Sequence, residues 1–141
     1  MAETADILGA VRSLLLADSD LFSLTSGRIY ALELPRSETR SMPRKAIILS
    51  LAGGDADSSL NEIARIRVDL ICLGETGFES DKVRRTAHAY LKQEALRKMY
   101  SDILIHNVTV ASGPLFFRDP DTDWPNSVQS FMVTAATHIA A

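Results

Sequence analysis

The stretch Glu62-Ile63-Ala64-Arg65-Ile66-Arg67-Val68-Asp69-Leu70-Ile71-Cys72 decides the fold. Arg65, Arg67 and Asp69 alternate with Ile66, Val68, Leu70 and Cys72, and period two over this length is a strand with one apolar and one charged face. Such a strand needs a partner on each side and a cover for its apolar face. Upstream, Ala46-Ile47-Ile48-Leu49-Ser50-Leu51 is a second strand former. Gly53-Gly54 breaks it, and a loop with Asp55, Asp57, Ser58 and Ser59 leads into the charged strand, so the two read as an antiparallel pair. Downstream, Ile103 to Ala111 predicts a third strand, which Ser112-Gly113-Pro114 ends or bends. A last one is expected from Val128 to about Ile139, where Phe131, Val133, Ala135, Thr137 and Ile139 alternate with Met132, Thr134, Ala136 and His138. Ile29 could add a small strand.

Two helices supply the cover. Ile7, Leu8, Val11, Leu14 and Leu15 recur at three- and four-residue spacing, with Thr4 as N-cap and Asp6 in the first turn. Leu21, Phe22 and Leu24 then pin the helix end to the core. The second helix is expected to begin near Glu79-Ser80-Asp81, capped by Ser80, and to reach Leu96. Its buried stripe is Val83, Ala87, Tyr90 and Leu91. Its polar side carries Lys82, Arg84, Arg85, His88, Lys92 and Gln93, with Arg97 and Lys98 beyond. From Glu33 to Lys45, Pro35 and Pro43 punctuate a surface loop with Arg36, Arg40, Arg44 and Lys45. The order is α–β–β–α–β–β. The expected architecture is a single α+β domain over 1–141, with two helices packed on one face of a mostly antiparallel four- to five-stranded sheet.

The 141 residues, 46% hydrophobic and 23% charged, suffice for one ordinary core and argue against widespread disorder. The net charge of -3 is a poor match to a duplex nucleic-acid binder, which needs a basic face. A single cysteine, Cys72, permits no intrachain disulfide and falls on an apolar face, where a structural thiol is expected. No apolar run approaches the roughly 20 residues of a membrane span, and the first residues lack the positive charge of a signal peptide. A soluble cytoplasmic chain is therefore expected.

Chemistry is sparse. There is no Gly-x-Ser-x-Gly elbow, no phosphate-binding loop and no dinucleotide fingerprint. His88, His106 and His138 have no partners at zinc-ligand spacing, so no metal and no cofactor is expected. Asp119-Pro120-Asp121-Thr122-Asp123 spaces oxygen ligands suitably for calcium. Counting from Asp119, however, Trp124 and Ser130 stand where an EF-hand needs its glycine and final glutamate. What remains is charge. The helix carries Lys82, Arg84, Arg85, Lys92, Arg97 and Lys98, while Asp55-Asp57 and Asp119-Asp123 form acidic loops that could complement them on a neighbour.

The segment Ile7 to Tyr30, "ILGAVRSLLLADSDLFSLTSGRIY", resembles the start of tail terminator (tail-completion) proteins of long-tailed bacteriophages, with Gly27-Arg28-Ile29-Tyr30 nearest to a motif. The proline-marked loop, the strand Ala46–Leu51, the alternating strand, the helix after Ser80 and the Asp-Pro loop before a long last strand match that family in outline. Many members carry Asp-x-x-Thr-Gly-x-Tyr in the last loop, whereas here Thr122 is followed by Asp123-Trp124-Pro125. The resemblance implies a virion structural protein at the tail–neck junction, assembled in the host cytoplasm and without catalysis. It would form a ring, commonly a hexamer, that caps the tail tube, stops its polymerisation and joins the neck or head-closure protein. The genome would pass through without sequence-specific binding. Candidate subunit or tube contacts are Arg65, Arg67, Arg84, Arg85, Lys92, Asp55, Asp57, Asp119, Asp121, Asp123 and Trp124. The competing readings are another head–tail connector (head-closure or adaptor), a small enzyme with an unusual site, and a nucleic-acid-binding module.

Overall fold

A computed structural model describes residues 6–54, 63–93 and 98–136. The elements are α1 (Ile7–Leu16), α2 (Ser19–Thr25), β1 (Ile29–Ala31), a 3-10 helix (Arg36–Ser41), β2 (Ala46–Gly54), β3 (Ile63–Leu73), α3 (Gly77–Leu91), β4 (Met99–Tyr100), β5 (Ile103–Val110), β6 (Leu115–Arg118) and β7 (Pro125–Ala136). The fold is α+β, with more strands than expected. One seven-stranded sheet runs β1-β2-β3-β7-β5-β4, and β6 also pairs with β7. Among the described residues, only β1–β2 is parallel and the other pairings are antiparallel.

The alternating stretch takes the centre. β3 pairs with β2 on one side and along its whole length with β7 on the other. Its Ala64, Val68, Leu70 and Cys72 are buried, as are Ile47 and Leu49 of β2 and Phe131, Val133 and Ala135 of β7. Residues directly opposite share a face, so Leu70 meets Leu49 and Gln129, and Val68 meets Phe131. The helices close this face. α1 buries Ile7, Leu8, Ala10, Val11, Leu14 and Leu15, and α3 buries Val83, Ala87 and Leu91.

Local chemistry sets the ends. Asp6, expected inside the first turn, is itself the N-cap of α1 and accepts from Gly9 N–H at 3.0 Å; Thr4 lies outside the described residues. Asp18 caps α2 through Leu21 N–H at 3.1 Å, and Leu21 is fully buried, while Phe22 stays half exposed. α3 begins earlier than expected, because Thr76 rather than Ser80 caps it through Glu79 N–H. Thr76-x-x-Glu79 is a capping-box pattern, and Glu79 reaches back to Glu75 N–H at 2.9 Å. The expected loop after β1 is partly a 3-10 helix, which Pro35 precedes and in which Glu38 pairs with Arg44. β7 starts at Pro125, before the expected Val128; Thr137, His138 and Ile139 are outside the described residues.

β6 was not expected. It follows β5 along the same edge of β7, so 103–118 is one strand path interrupted at Ala111–Pro114. Ser112 bridges the interruption. Its carbonyl accepts from Gln129 Nε2, and its hydroxyl accepts from Ser130 N–H, both at 3.3 Å.

Candidate functional site

The helix face expected to be basic and solvated is divided. Ser80, Arg84 and His88 stand four residues apart on α3, and Ser127, Gln129 and Phe131 stand two apart on β7. Four helical residues rise about 6 Å and two strand residues about 6.8 Å, so the two series stay in step. Ser80 and Ser127 hydroxyls meet at 3.0 Å, Arg84 Nη1 donates to Gln129 Oε1 at 3.0 Å, and His88 meets the Phe131 ring edge-on at 5.9 Å. A polar seam thus runs under α3, beside its apolar stripe.

This corrects the placement of Arg84. It is only 9% exposed, its Nε and Nη2 both meet Asp81 Oδ1 at 3.0 Å, and it points into the seam rather than to solvent. A charged side chain satisfied on every side by carboxylate and amide can be buried. Arg85 is exposed but also pairs with Asp81, at 2.9 Å. Asp81 is partly desolvated, yet the hydrogen bonds and charges of Arg84 and Arg85 prevail and hold its carboxyl below the usual range. Lys92, at the C-cap of α3, is exposed. A shallow groove of about 390 Å³ between α2 and α3 is lined by Asp18, Asp20, Lys82, Arg85, Thr86 and Tyr90, among others. Its charges of both signs, with no cluster of reactive groups, make it a poor centre for nucleophilic or acid–base chemistry.

His88 and Cys72 also turn inward. Burial lowers the pKa of His88, with Lys92 and Arg84 adding and Gln129 opposing, and its Nε2 is buried without a hydrogen-bond partner. Burial pushes the Cys72 thiol up to about 12, against the charge of Arg84, which leaves it unreactive.

The charged face of β3 forms its own network. Arg67 Nη2 donates to Ser130 Oγ at 3.2 Å, and that hydroxyl donates to Asp69 Oδ1. Arg67 is half-buried and Arg65 exposed. The acidic turn between β6 and β7 is well ordered by its own backbone. Asp119 Oδ1 accepts from Asp121 N–H at 2.8 Å and Thr122 N–H at 3.0 Å, which holds its carboxyl below the usual range. Asp119 N–H donates to Trp124 O at 3.0 Å, and Arg118 reaches Asp123 O at 2.9 Å. Asp121 and Asp123 are exposed and Trp124 is half-buried. Asp55, Asp57 and Arg97 lie outside the described residues. The candidates therefore fall into separate surfaces: Arg65 with Arg67, Arg85 with Lys92, and the turn Asp119–Trp124. Among the described residues, no group of three His, Cys, Asp or Glu is placed to hold a metal ion, and no helix is long and apolar enough to cross a membrane.

Sequence reasoning missed an apolar surface. Phe78 is 90% exposed, and Leu115, Phe116 and Phe117 on β6 are also open to solvent. A Cβ on Gly77 would stand 3.2 Å from the Phe116 ring, so β6 lies close to the start of α3. The signal was present as Leu115-Phe116-Phe117, three consecutive apolar residues between Pro114 and a turn.

No protein-family model matches the sequence, and no curated protein matches it. Among solved structures, the fold matches a chain from the virion of a native gene transfer agent (GTA) particle. The TM-score is 0.65 at 15% sequence identity, over 92% of this chain and 94% of that one. The chain shares its whole fold, not a fragment of it, with that virion component.

Proposed function

We propose that this chain is a virion structural protein without catalytic activity, and that it forms a ring capping the tail tube, where it ends tube polymerisation and joins the neck. The observation carrying this reading is the end-to-end fold match to a chain of a virion particle. The order of elements, from the Gly27-Arg28-Ile29-Tyr30 turn to the Asp-Pro loop, agrees with the tail terminator resemblance. The polar residues inside the domain support it too. Arg84, His88 and Cys72, the groups best suited to chemistry, are engaged in packing. The exposed groups include arginines and phenylalanines, residue types that interfaces favour.

The ring is a homo-oligomer, with six subunits in the family it resembles. Its further partners are the major tail tube protein and a neck or head-closure protein. Among the described residues, Arg65, Arg85, Lys92, Asp121 and Asp123 are the charged candidates exposed to meet them.

Native mass spectrometry of the purified chain, alone and with polymerised tube protein from the same particle, tests this. A closed ring, or one formed only on tubes whose growth then stops, is expected. A monomer indifferent to tubes overturns it, and binding to the head-side connector instead assigns an adaptor role.

A further inference from the structure

The two ends of the sheet are finished differently. At the β1 end, most of the outward backbone is already engaged. Ile29 N–H donates to Gly27 O at 2.8 Å, Arg12 Nε donates to Ile29 O at 2.6 Å, and Glu33 N–H donates to Ala31 O at 2.9 Å. An edge capped in this way resists pairing with another strand. The basic segment lies beside it. Arg28 Nε donates to Lys45 O at 3.0 Å, and Glu38 and Arg44 act electrostatically on Tyr30 of β1. Arg36 and Arg40 of this segment are exposed, as is Leu32 at the end of β1, at 65%.

At the opposite end, β6 pairs with β7 alone among the described residues. The bond from Asp119 N–H to Trp124 O sets the alternation. It turns the N–H and C=O of Phe116 and Arg118 away from β7, outward along an open edge. Leu115 and Phe117 flank this edge on one face and Phe116 on the other, with Phe78 near it. At about 200 Å² per side chain, their exposed fractions amount to roughly 480 Å² of apolar surface. Spread over both faces of the edge, that is comparable to the largest apolar patch of a typical monomer, which is often functional, and somewhat over half of what each partner buries in a standard interface. Asp121 and Asp123 stand immediately beyond, and although the exposed Arg118 comes within 3.8 Å of Asp123, the turn with Asp119 stays net acidic. One end of the sheet is thus apolar and acidic and the other basic, roughly 19 Å apart across four strand spacings.

We propose that the β6 edge and its acidic turn dock on the β1 end of a second copy of this chain, Leu32 covering the apolar centre and Arg36 and Arg40 meeting Asp121 and Asp123. This docking mode rests on the ring reading above. Because β1 is capped, the contact is made by side chains rather than by strand pairing. The guanidinium groups and the exposed Glu33 carboxylate carry the donors and acceptor that the outward C=O and N–H of Phe116 and Arg118 require. The contact is heterologous, so it repeats head to tail and closes when the rotation allows. It assigns the acidic turn to Arg36 and Arg40 rather than to α3, where Arg84 is buried against Asp81 and Gln129 and Arg85 shares the same carboxylate.

The test uses two full-length variants, Arg36→Glu/Arg40→Glu and Asp121→Arg/Asp123→Arg, with folding checked by circular dichroism. Each alone is expected to lose the oligomer on native mass spectrometry. Mixed, they regain charge complementarity at every contact and should form alternating assemblies with equal numbers of each. Rings unaffected by either variant overturn the docking mode and leave the ring reading standing. Loss with one variant only, or no recovery on mixing, also overturns the docking mode. A wild-type chain that stays monomeric alone and on tubes overturns both.

Discussion

Arg84 donates to Gln129 at 3.0 Å with both side chains almost closed to solvent, 9% and 1% exposed. A guanidinium in that position is held by Asp81 on one side and an amide oxygen on the other. Arg84→Ala leaves the Gln129 carbonyl unsatisfied and opens a void, and should cost about 2 kcal/mol in urea unfolding. Adding Gln129→Leu to Arg84→Met should recover part of that loss, because the buried pair then leaves together, while the Ser112 carbonyl loses its donor and Asp81 keeps Arg85. Arg85→Ala, by contrast, removes an exposed pair and should cost less than about 1 kcal/mol. Equal losses for Arg84→Ala and Arg85→Ala would contradict the seam.

This contrast also marks what the residues alone could convey. The alternation at Ile63–Cys72 had one physical solution, and β3 adopts it with Val68, Leu70 and Cys72 inward. The stripe Ile7, Leu8, Val11, Leu14 and Leu15 was equally plain. Arg84 was misplaced because charge predicts solvent unless a partner is known, and Gln129 lies far away in sequence. The spacing Ser80–Arg84–His88 was the available clue, together with Ser127 and Gln129 at inward positions of β7. β6 had no periodicity to detect, being four exposed residues whose strand character comes from β7 and the Asp119–Trp124 turn. The run Leu115-Phe116-Phe117 was visible, but nothing in it told that it stands exposed on a sheet edge rather than in the core.

His88 makes stability depend on pH. Burial, then the charges of Lys92 and Arg84, lower its pKa below 6.5, so the unfolded chain takes up the proton first as pH falls. Stability is therefore unaffected by this group above about pH 6.5, declines below it, and the loss is complete once pH passes the folded value. Asp81 acts in a lower window. Its folded pKa is lowered, so its contribution is present above the ordinary carboxylate range and disappears in stronger acid. Thermal unfolding of His88→Gln from about pH 2.5 to 7.5, in half-unit steps, should flatten the upper decline and keep the lower one. An unchanged upper decline would assign it to another group.

Tyr90 joins α3 to α1. Its hydroxyl donates to Leu14 O at 2.9 Å, and burial, aided by Tyr100 and Asp18, pushes its pKa up to about 12. The hydroxyl is thus a proton donor at any ordinary pH. Tyr90→Phe keeps the ring and removes one hydrogen bond to the last turn of α1, for a cost of about 1 kcal/mol. The urea midpoint should fall without a change in slope.

Gly53 and Gly54 end β2, and only one of them is sterically required. Both have positive φ, +92° and +138°. A Cβ on Gly53 would meet nothing within 4 Å, whereas on Gly54 it would stand 2.3 Å from the Arg65 carbonyl oxygen and 2.9 Å from Ile66 Cα. Those are backbone atoms of the paired strand, so no side-chain rotation relieves the clash. The register shift between Leu51 and Gly54 brings the strands together at this point, where Gly54 faces Ile66. Gly53→Ala should therefore cost only the strain of a left-handed backbone, about 1–2 kcal/mol. Gly54→Ala must part β2 from β3 and should cost at least about 2 kcal/mol, with faster amide exchange around Ile66. Equal midpoints for the two variants would mean that the strands do not approach this closely.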